Sequence, residues 1–193
     1  MDIIGVRLMG LTHNYNNEIA DGVSEARTKG GLTEFGVKVV QEMNHLGMVV
    51  DIAHIAEAGF YEVLDVSKTP VVVSHANCRA IKDHPRNLND NQLKALSEAN
   101  GVICMSFAPM FVDEINPTLE RLLDHIDHAV DIAGVQSVGL GSDFDGIDRP
   151  LAGLEDVSHL PNLTLGLAKR GYSKFDIKKI LGENLLKLFQ KSL

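Results

Sequence analysis

Apolar runs rich in valine and isoleucine alternate with helix-patterned stretches along this chain, and that alternation is what most limits its fold. The runs fall at residues 3–11, 48–53, 71–74, 101–107 and 137–141. Continuous apolar character marks strands buried on both faces, and such strands belong to parallel sheets. Between them, residues 33–46, 56–66, 89–98 and 117–133 carry apolar side chains at helical spacing behind N-cap or first-turn signals. A final stretch, 174–193, reads as one more amphipathic helix, with Ile177, Ile180, Leu181, Leu185 and Leu188 on or near one stripe. Strand and helix in regular succession specify a parallel α/β sheet with right-handed crossovers. About five strands fall short of the eight that close a (β/α)8 barrel, so the expectation is an open sheet or a partial barrel of about five βα units.

The 193 residues suffice for one well-buried domain, 1–193, with no linker, low-complexity stretch or charge run to divide it. No apolar run reaches membrane length, and residues 1–7 lack the charged start and apolar core of a signal peptide. With 26 acidic against 18 basic residues the formal charge is −8, which leaves no basic stripe for a phosphate backbone. A small-molecule ligand is expected and a nucleic acid is not. Cys78 and Cys104 lack metal-ligand spacing and form no disulfide framework, which fits a reducing, cytoplasmic setting.

Packing does not explain how these runs end. MVVDIAH closes on His54 and VVVSH on His75, one βα unit apart, while SVGLGSD delivers Asp143 and GVRLMGLTH delivers His13. Successive parallel strands place their C-terminal residues on one rim, where two neighbouring histidines can hold a metal between them, the beginning of a zinc hydrolase site. Strict alternation puts Met48, Val50 and Ile52 on the face of His54, Val71 and Val73 on that of His75, and Gly139 and Gly141 below Asp143. It leaves Asp51 on the opposite face unless a bulge intervenes, as a packing or supporting partner. Singly, His54 or His75 reads as an ordinary hydrogen-bonded strand-end residue; together, and joined by Asp143, they read as a site. His125 and His128, three apart on a helix, are expected to line its solvated or sheet-facing side; His45, His84 and His159 are expected at the surface or in loops. Cys78 reads as a small buried residue.

The segments LTHNYNNEIADG, GMVVDIAHIA, PVVVSHANCRAIKDHPRNLND, VGLGSDFDGI and LGENLLKLF, in this order and spacing, resemble the membrane (renal-type) dipeptidases, the M19 zinc peptidases. The resemblance covers essentially the whole chain. It implies a (β/α)8 barrel of the metal-dependent hydrolase type, with a binuclear zinc site that hydrolyses dipeptides. It also implies that His54 and His75 bind the second zinc, that Arg86 in HPRN holds the terminal carboxylate of the substrate, and that Asp143 assists proton transfer. His13 would contact the substrate and the developing oxyanion. Arg86 alone would read as a surface residue, but a guanidinium suits a carboxylate because it pairs with it bidentately.

The family pattern also includes a His-x-Asp pair on an earlier strand for the first zinc and a glutamate, on the strand just before the one matching residues 3–11, bridging both metals; no His-x-Asp precedes His13 here, and neither element has a match ahead of it. The expectation is a C-terminal part without the first three βα units, holding half a metal site that binds zinc weakly by itself. Glu18 and Asp21, in the loop after His13, are the local carboxylates that would have to substitute. An open arc also exposes two strand edges, which self-association or a complementing N-terminal fragment would cover. The alternatives to a dipeptidase are a non-catalytic fragment, one subunit of a split enzyme, or another barrel-type metal-dependent amide hydrolase.

Overall fold

The computed structural model describes residues 5–24 and 28–192; Ile3 and Ile4 of the first expected strand and Leu193 of the last expected helix lie outside them. Five strands form one parallel sheet: β1 (Leu8–Gly10), β2 (Val49–Asp51), β3 (Val72–Ala76), β4 (Val102–Met105) and β5 (Val138–Leu140). Each sits inside or overlaps an expected run, and their order in the sheet is their order in the chain. The helices are α1 (Glu34–His45), α2 (Glu57–Val66), α3 (Asp90–Glu98), α4 (Pro109–Val112), α5 (Leu119–Ala133), α6 (Leu160–Lys169), α7 (Lys174–Lys178) and α8 (Asn184–Ser192). The sequence reading did not anticipate α4 or α6. Side-chain caps start α1, α3 and α5: Thr33 accepts from Gly36 N, Asn89 and Gln92 form a reciprocal capping box, and Thr118 accepts from Arg121 N.

One face of the sheet carries the crossover helices. Val50, Ile52, Val71, Val73, Ile103 and Met105 share a continuous core with Val40 and Met43 of α1, Phe60 and Val63 of α2, Leu93 and Leu96 of α3, and Leu122 and Ile126 of α5. On the other face Val49, Val72, Val102 and Cys104 form a smaller cluster closed by Leu188 of α8. Sequential strand order with the crossovers gathered on one face is the winding of a barrel arc, whereas a doubly wound sheet reverses its order and carries helices on both faces. Among the described residues no helix is long and apolar enough to cross a membrane.

The stretch expected as one helix over 174–193 is broken. Residues 179–183 make wider turns, and Gly182 leaves the helical region with φ 168° and ψ −24°. The break divides the apolar stripe between two destinations: Ile180 enters the core under the crossover helices, and Leu188 closes the opposite face. Asn184, just past the break, donates from Nδ2 to the carbonyls of Val135 and Val138 at 2.7 and 2.8 Å, which anchors α8 to the start of β5. Leu188→Ala therefore opens a cavity in the only apolar cover this face has among the described residues, and urea denaturation should show a loss of roughly 2–5 kcal/mol.

His125 is fully buried and structural. Its Nδ1 accepts from Cys78 N at 3.0 Å and its Nε2 donates to Val112 O at 2.8 Å, which fixes one neutral tautomer. Burial first, then the neighbouring Arg121, depress its pKa to about 4, against the Val112 hydrogen bond that raises it. The unfolded chain, with an imidazole pKa of 6.5, takes up this proton first, so stability present above pH 6.5 is lost as the pH falls towards 4. The loss from this residue should be on the order of 3 kcal/mol. Urea midpoints across that range should fall less steeply in His125→Gln than in the wild type.

Candidate metal centre

The site is assembled at the C-terminal ends of β1, β2, β3 and β5. Asp51, the last residue of β2, is buried, and its Oδ1 accepts from Ala53 N at 2.9 Å and from Ser74 N at 3.0 Å. These are the residues immediately before His54 and His75. Just beyond Ala53 the backbone turns left-handed at His54, with φ 67°, a conformation that costs a β-carbon residue about 1–2 kcal/mol and recurs at functional sites. Asp143 is held the same way, with φ 64°.

Simple alternation misassigns the faces here. Val50, Ile52, Val71 and Val73, expected beneath the histidines, pack under the crossover helices, while Val49 and Val72 occupy the opposite face. The left-handed turn at His54 resets the alternation after β2. In β3 the pairing with β4 runs Val72↔Val102 and Val73↔Ile103 but then Ala76↔Met105, so an extra residue accommodates Ser74 and His75. Gly141 is required beside this irregularity, because a β-carbon there would lie 1.8 Å from Ser74 O.

These turns bring the two imidazoles edge to edge, with His54 Nε2 and His75 Nε2 2.8 Å apart. Asn14 Oδ1 lies 2.7 Å from His54 Nδ1, and Ser74 Oγ lies 2.8 Å from His75 Nδ1. Asn14 thus selects the tautomer with a proton on Nδ1 and leaves His54 Nε2 as a lone-pair donor. Burial, followed by Arg86 and the neighbouring histidines, holds the His54 pKa at about 3, so the ring is neutral, as a metal ligand must be. Burial and Arg86 also lower the pKa of His75, opposed by Asp143 and Asp51. The pair fits a divalent metal in donor type, and Asn14 gives His54 the tautomer that such a ligand needs. It supplies two ligands, and among the described residues no third His, Cys, Asp or Glu joins them.

Glu18 and Asp21 do not fill that gap. Asp21 Oδ2 accepts from Gly30 N at 3.0 Å and also from Thr28, and Glu18 is exposed, with its carbonyl taken by Thr33 Oγ1 at 2.7 Å. His13 stacks on His54 with ring centroids 4.3 Å apart and the planes 32° from parallel, so it forms part of the cavity wall.

Arg86 is only 6% exposed. Its Nη2 donates to His75 O at 3.0 Å, its guanidinium lies 5.3 Å from the centre of the Phe111 ring, and its buried Nε has no partner among the described residues. Desolvation pulls its pKa down to about 10, against the opposing pull of Asp143 and Asp51, and it remains charged at neutral pH. Sequence reasoning missed four supports. Asn14 and Ser74 orient the histidines. Phe111 backs the guanidinium. His84, expected at the surface or in a loop, accepts from Arg86 N at 3.1 Å and lies against Phe111 with ring centroids 4.8 Å apart. The signal for Asn14 and Ser74 was their adjacency to His13 and His75; Phe111 carried none.

A model of the membrane dipeptidases (peptidase family M19) matches residues 1–192. The chain belongs to this family. Dipeptidase verJ of Clonostachys rogersoniana is 42% identical over 96% of this M19 chain, which covers 48% of that protein. The chain therefore spans about half the length of the curated relatives it matches. A metallopeptidase from Rhodobacter sphaeroides, solved with a phosphinate mimic of the dipeptide L-Ala-D-Ala, superimposes with a TM-score of 0.91 at 31% identity, covering 100% of this chain and 57% of its own. An amidohydrolase from Pseudomonas aeruginosa superimposes with a TM-score of 0.89 at 27% identity, covering 98% of this chain and 66% of its own.

Removing the Asp51 carboxylate leaves two N–H groups without their acceptor on the segments that carry the histidines. Asp51→Ala should cost roughly 2–4 kcal/mol. The Asn variant, which keeps Oδ1, should retain most of that stability in urea denaturation.

Proposed function

We propose that this chain carries the carboxylate anchor and two of the metal ligands of a zinc-dependent dipeptidase. The observation behind this reading is that a single cavity of about 640 Å3 is lined by His13, His54, His75, Arg86 and Asp143 together. Its size suits a small molecule such as a dipeptide. Among the described residues no carboxylate lies within ion-pairing distance of Arg86. A desolvated cation of this kind gains most from an anionic ligand, and the C-terminal carboxylate of a peptide offers the bidentate partner.

His54 and His75 would hold a zinc ion, the second of the family's two. When bound, such an ion supplies Lewis acidity and makes a coordinated water acidic near neutral pH. Arg86 fixes the peptide by its carboxylate, which sets the scissile carbonyl towards the histidines. Asp143, on the same cavity, accepts a proton from the attacking water and returns it to the leaving amine. His13 donates to the oxygen on which negative charge develops. The described residues supply two ligands, so full turnover is expected only when the remaining ligands come from further polypeptide or from a partner. The second reading is another metal-dependent amide hydrolase, which the likeness to the Pseudomonas amidohydrolase favours. Turnover of acylated amino acids or lactams in preference to dipeptides would select it.

The experiment is titration of L-Ala-L-Ala and of zinc into the purified chain, with hydrolysis followed in parallel. Arg86→Ala should weaken dipeptide binding by roughly 10–100-fold, the worth of a charged hydrogen-bonded pair. The double variant His54→Ala/His75→Ala should lose zinc uptake and any turnover. Dipeptide affinity unchanged in Arg86→Ala would overturn the anchor, and zinc uptake unchanged in the double variant would overturn the ligand assignment.

A further inference from the structure

We propose that Asn87 is a positioning residue for Arg86, acting through a buried polar strut that ties together three segments around the cavity. The inference rests on the reading of Arg86 as the carboxylate anchor. Asn77, Asn87 and Ser106 are all fully buried. Asn87 Oδ1 accepts from Asn77 N at 3.1 Å, and Asn87 Nδ2 donates to Lys82 O and to Phe111 O, each at 2.9 Å. Asn77 in turn receives Ser106 N on Oδ1 at 3.1 Å and donates from Nδ2 to Ser106 O at 3.0 Å. The strut thus joins the end of β3, the loop that carries Arg86, and the segment from β4 into α4.

Each fixed point of Arg86 is held by this strut or lies within two residues of it. Phe111, whose ring backs the guanidinium, has its carbonyl held by Asn87 Nδ2. His84, which accepts from Arg86 N, has its carbonyl held by Asn87 N at 2.9 Å. The His75 carbonyl that receives Arg86 Nη2 lies two residues before Asn77. Asn87 is fully buried, so its influence on a ligand in the 640 Å3 cavity passes through Arg86 and Phe111, which line it. An amide is the side chain that serves: Oδ1 accepts while two Nδ2 hydrogens reach two carbonyls, and a fully satisfied network in a low-dielectric interior is rigid. Aspartate at this position keeps the acceptor, loses both donors and sets a charge against two carbonyl oxygens.

The test uses NMR on the whole chain. The Arg86 Nε–H resonance is the signal missing from Arg86→Lys, and its ring-current displacement is measured against Phe111→Leu, which defines zero. Affinities for L-Ala-L-Ala and for its C-terminal amide are measured beside it, at a temperature where each variant is folded. In Asn87→Asp and Asn87→Ala the displacement should fall to less than about half. The preference for the free carboxylate over the amide should fall about tenfold, as expected when a charged contact is misplaced by a fraction of an ångström. Should Asn87→Ala fail to fold, the isosteric Asn87→Asp decides alone. A lowered melting temperature with displacement and preference unchanged would reduce Asn87 to a structural residue and overturn the proposal, as would a wild-type displacement equal to that of Phe111→Leu. If Arg86→Ala keeps the carboxylate preference, the anchor reading fails, while the ring-current displacement still decides whether Asn87 positions the guanidinium.

Discussion

One carboxylate oxygen of Asp51 accepts two backbone N–H groups, from Ala53 and Ser74, and each of those residues stands directly before a histidine of the candidate centre. Where β2 and β3 end, the regular ladder gives way to a left-handed turn on one side and a register irregularity on the other. Backbone donors released there and buried would each cost on the order of 1–3 kcal/mol without an acceptor. Asp51 satisfies both and ties the two strand exits together. The 2.8 Å approach of the imidazoles rests on that tie together with the β2–β3 pairing beside it, where Ile52 N donates to Val72 O at 2.9 Å.

Around this knot the site combines two kinds of electrostatic cost. The histidines are kept neutral by burial and by the nearby Arg86, which makes them competent ligands and poor cations. Arg86 carries its charge into a position almost closed to water, with no anion paired to it among the described residues. On the proposed reading both costs would be recovered when a ligand arrives, a cation between the imidazoles and an anion at the guanidinium. A protein selected for stability alone would pair or remove such groups, so their coexistence on one cavity is a mark of binding.

Much of this was readable in advance. Apolar runs, most of them rich in valine and isoleucine, located the five strands seen among the described residues, helical spacing located the four crossover helices, and the histidines closing two runs pointed to one rim. The faces were not readable, because alternation counts residues and cannot see a left-handed turn at His54 or an extra residue at Ser74–His75. The break at Gly182 was hidden for a similar reason. The stripe from Ile177 to Leu188 is consistent with one helix, and only the packing of Ile180 and Leu188 on opposite sides of the sheet demands two.

What the sequence by itself determined is a parallel α/β chain with the motifs of the M19 family, and it named His13, His54, His75, Arg86 and Asp143 as candidates for its chemistry. The fold follows from local pattern, the histidine pair and Asp143 from their places at strand ends, and the readings of Arg86 and His13 from the resemblance. Only the tertiary structure decided that Asn14 and Ser74 orient the imidazoles, that Phe111 and His84 wall in Arg86, and that Asn77, Asn87 and Ser106 brace the loop carrying it. Each of those roles is a hydrogen bond or ring contact, and most join segments tens of residues apart. Such partners meet because the sheet brings its strand ends to one rim, and no spacing along the chain records that encounter.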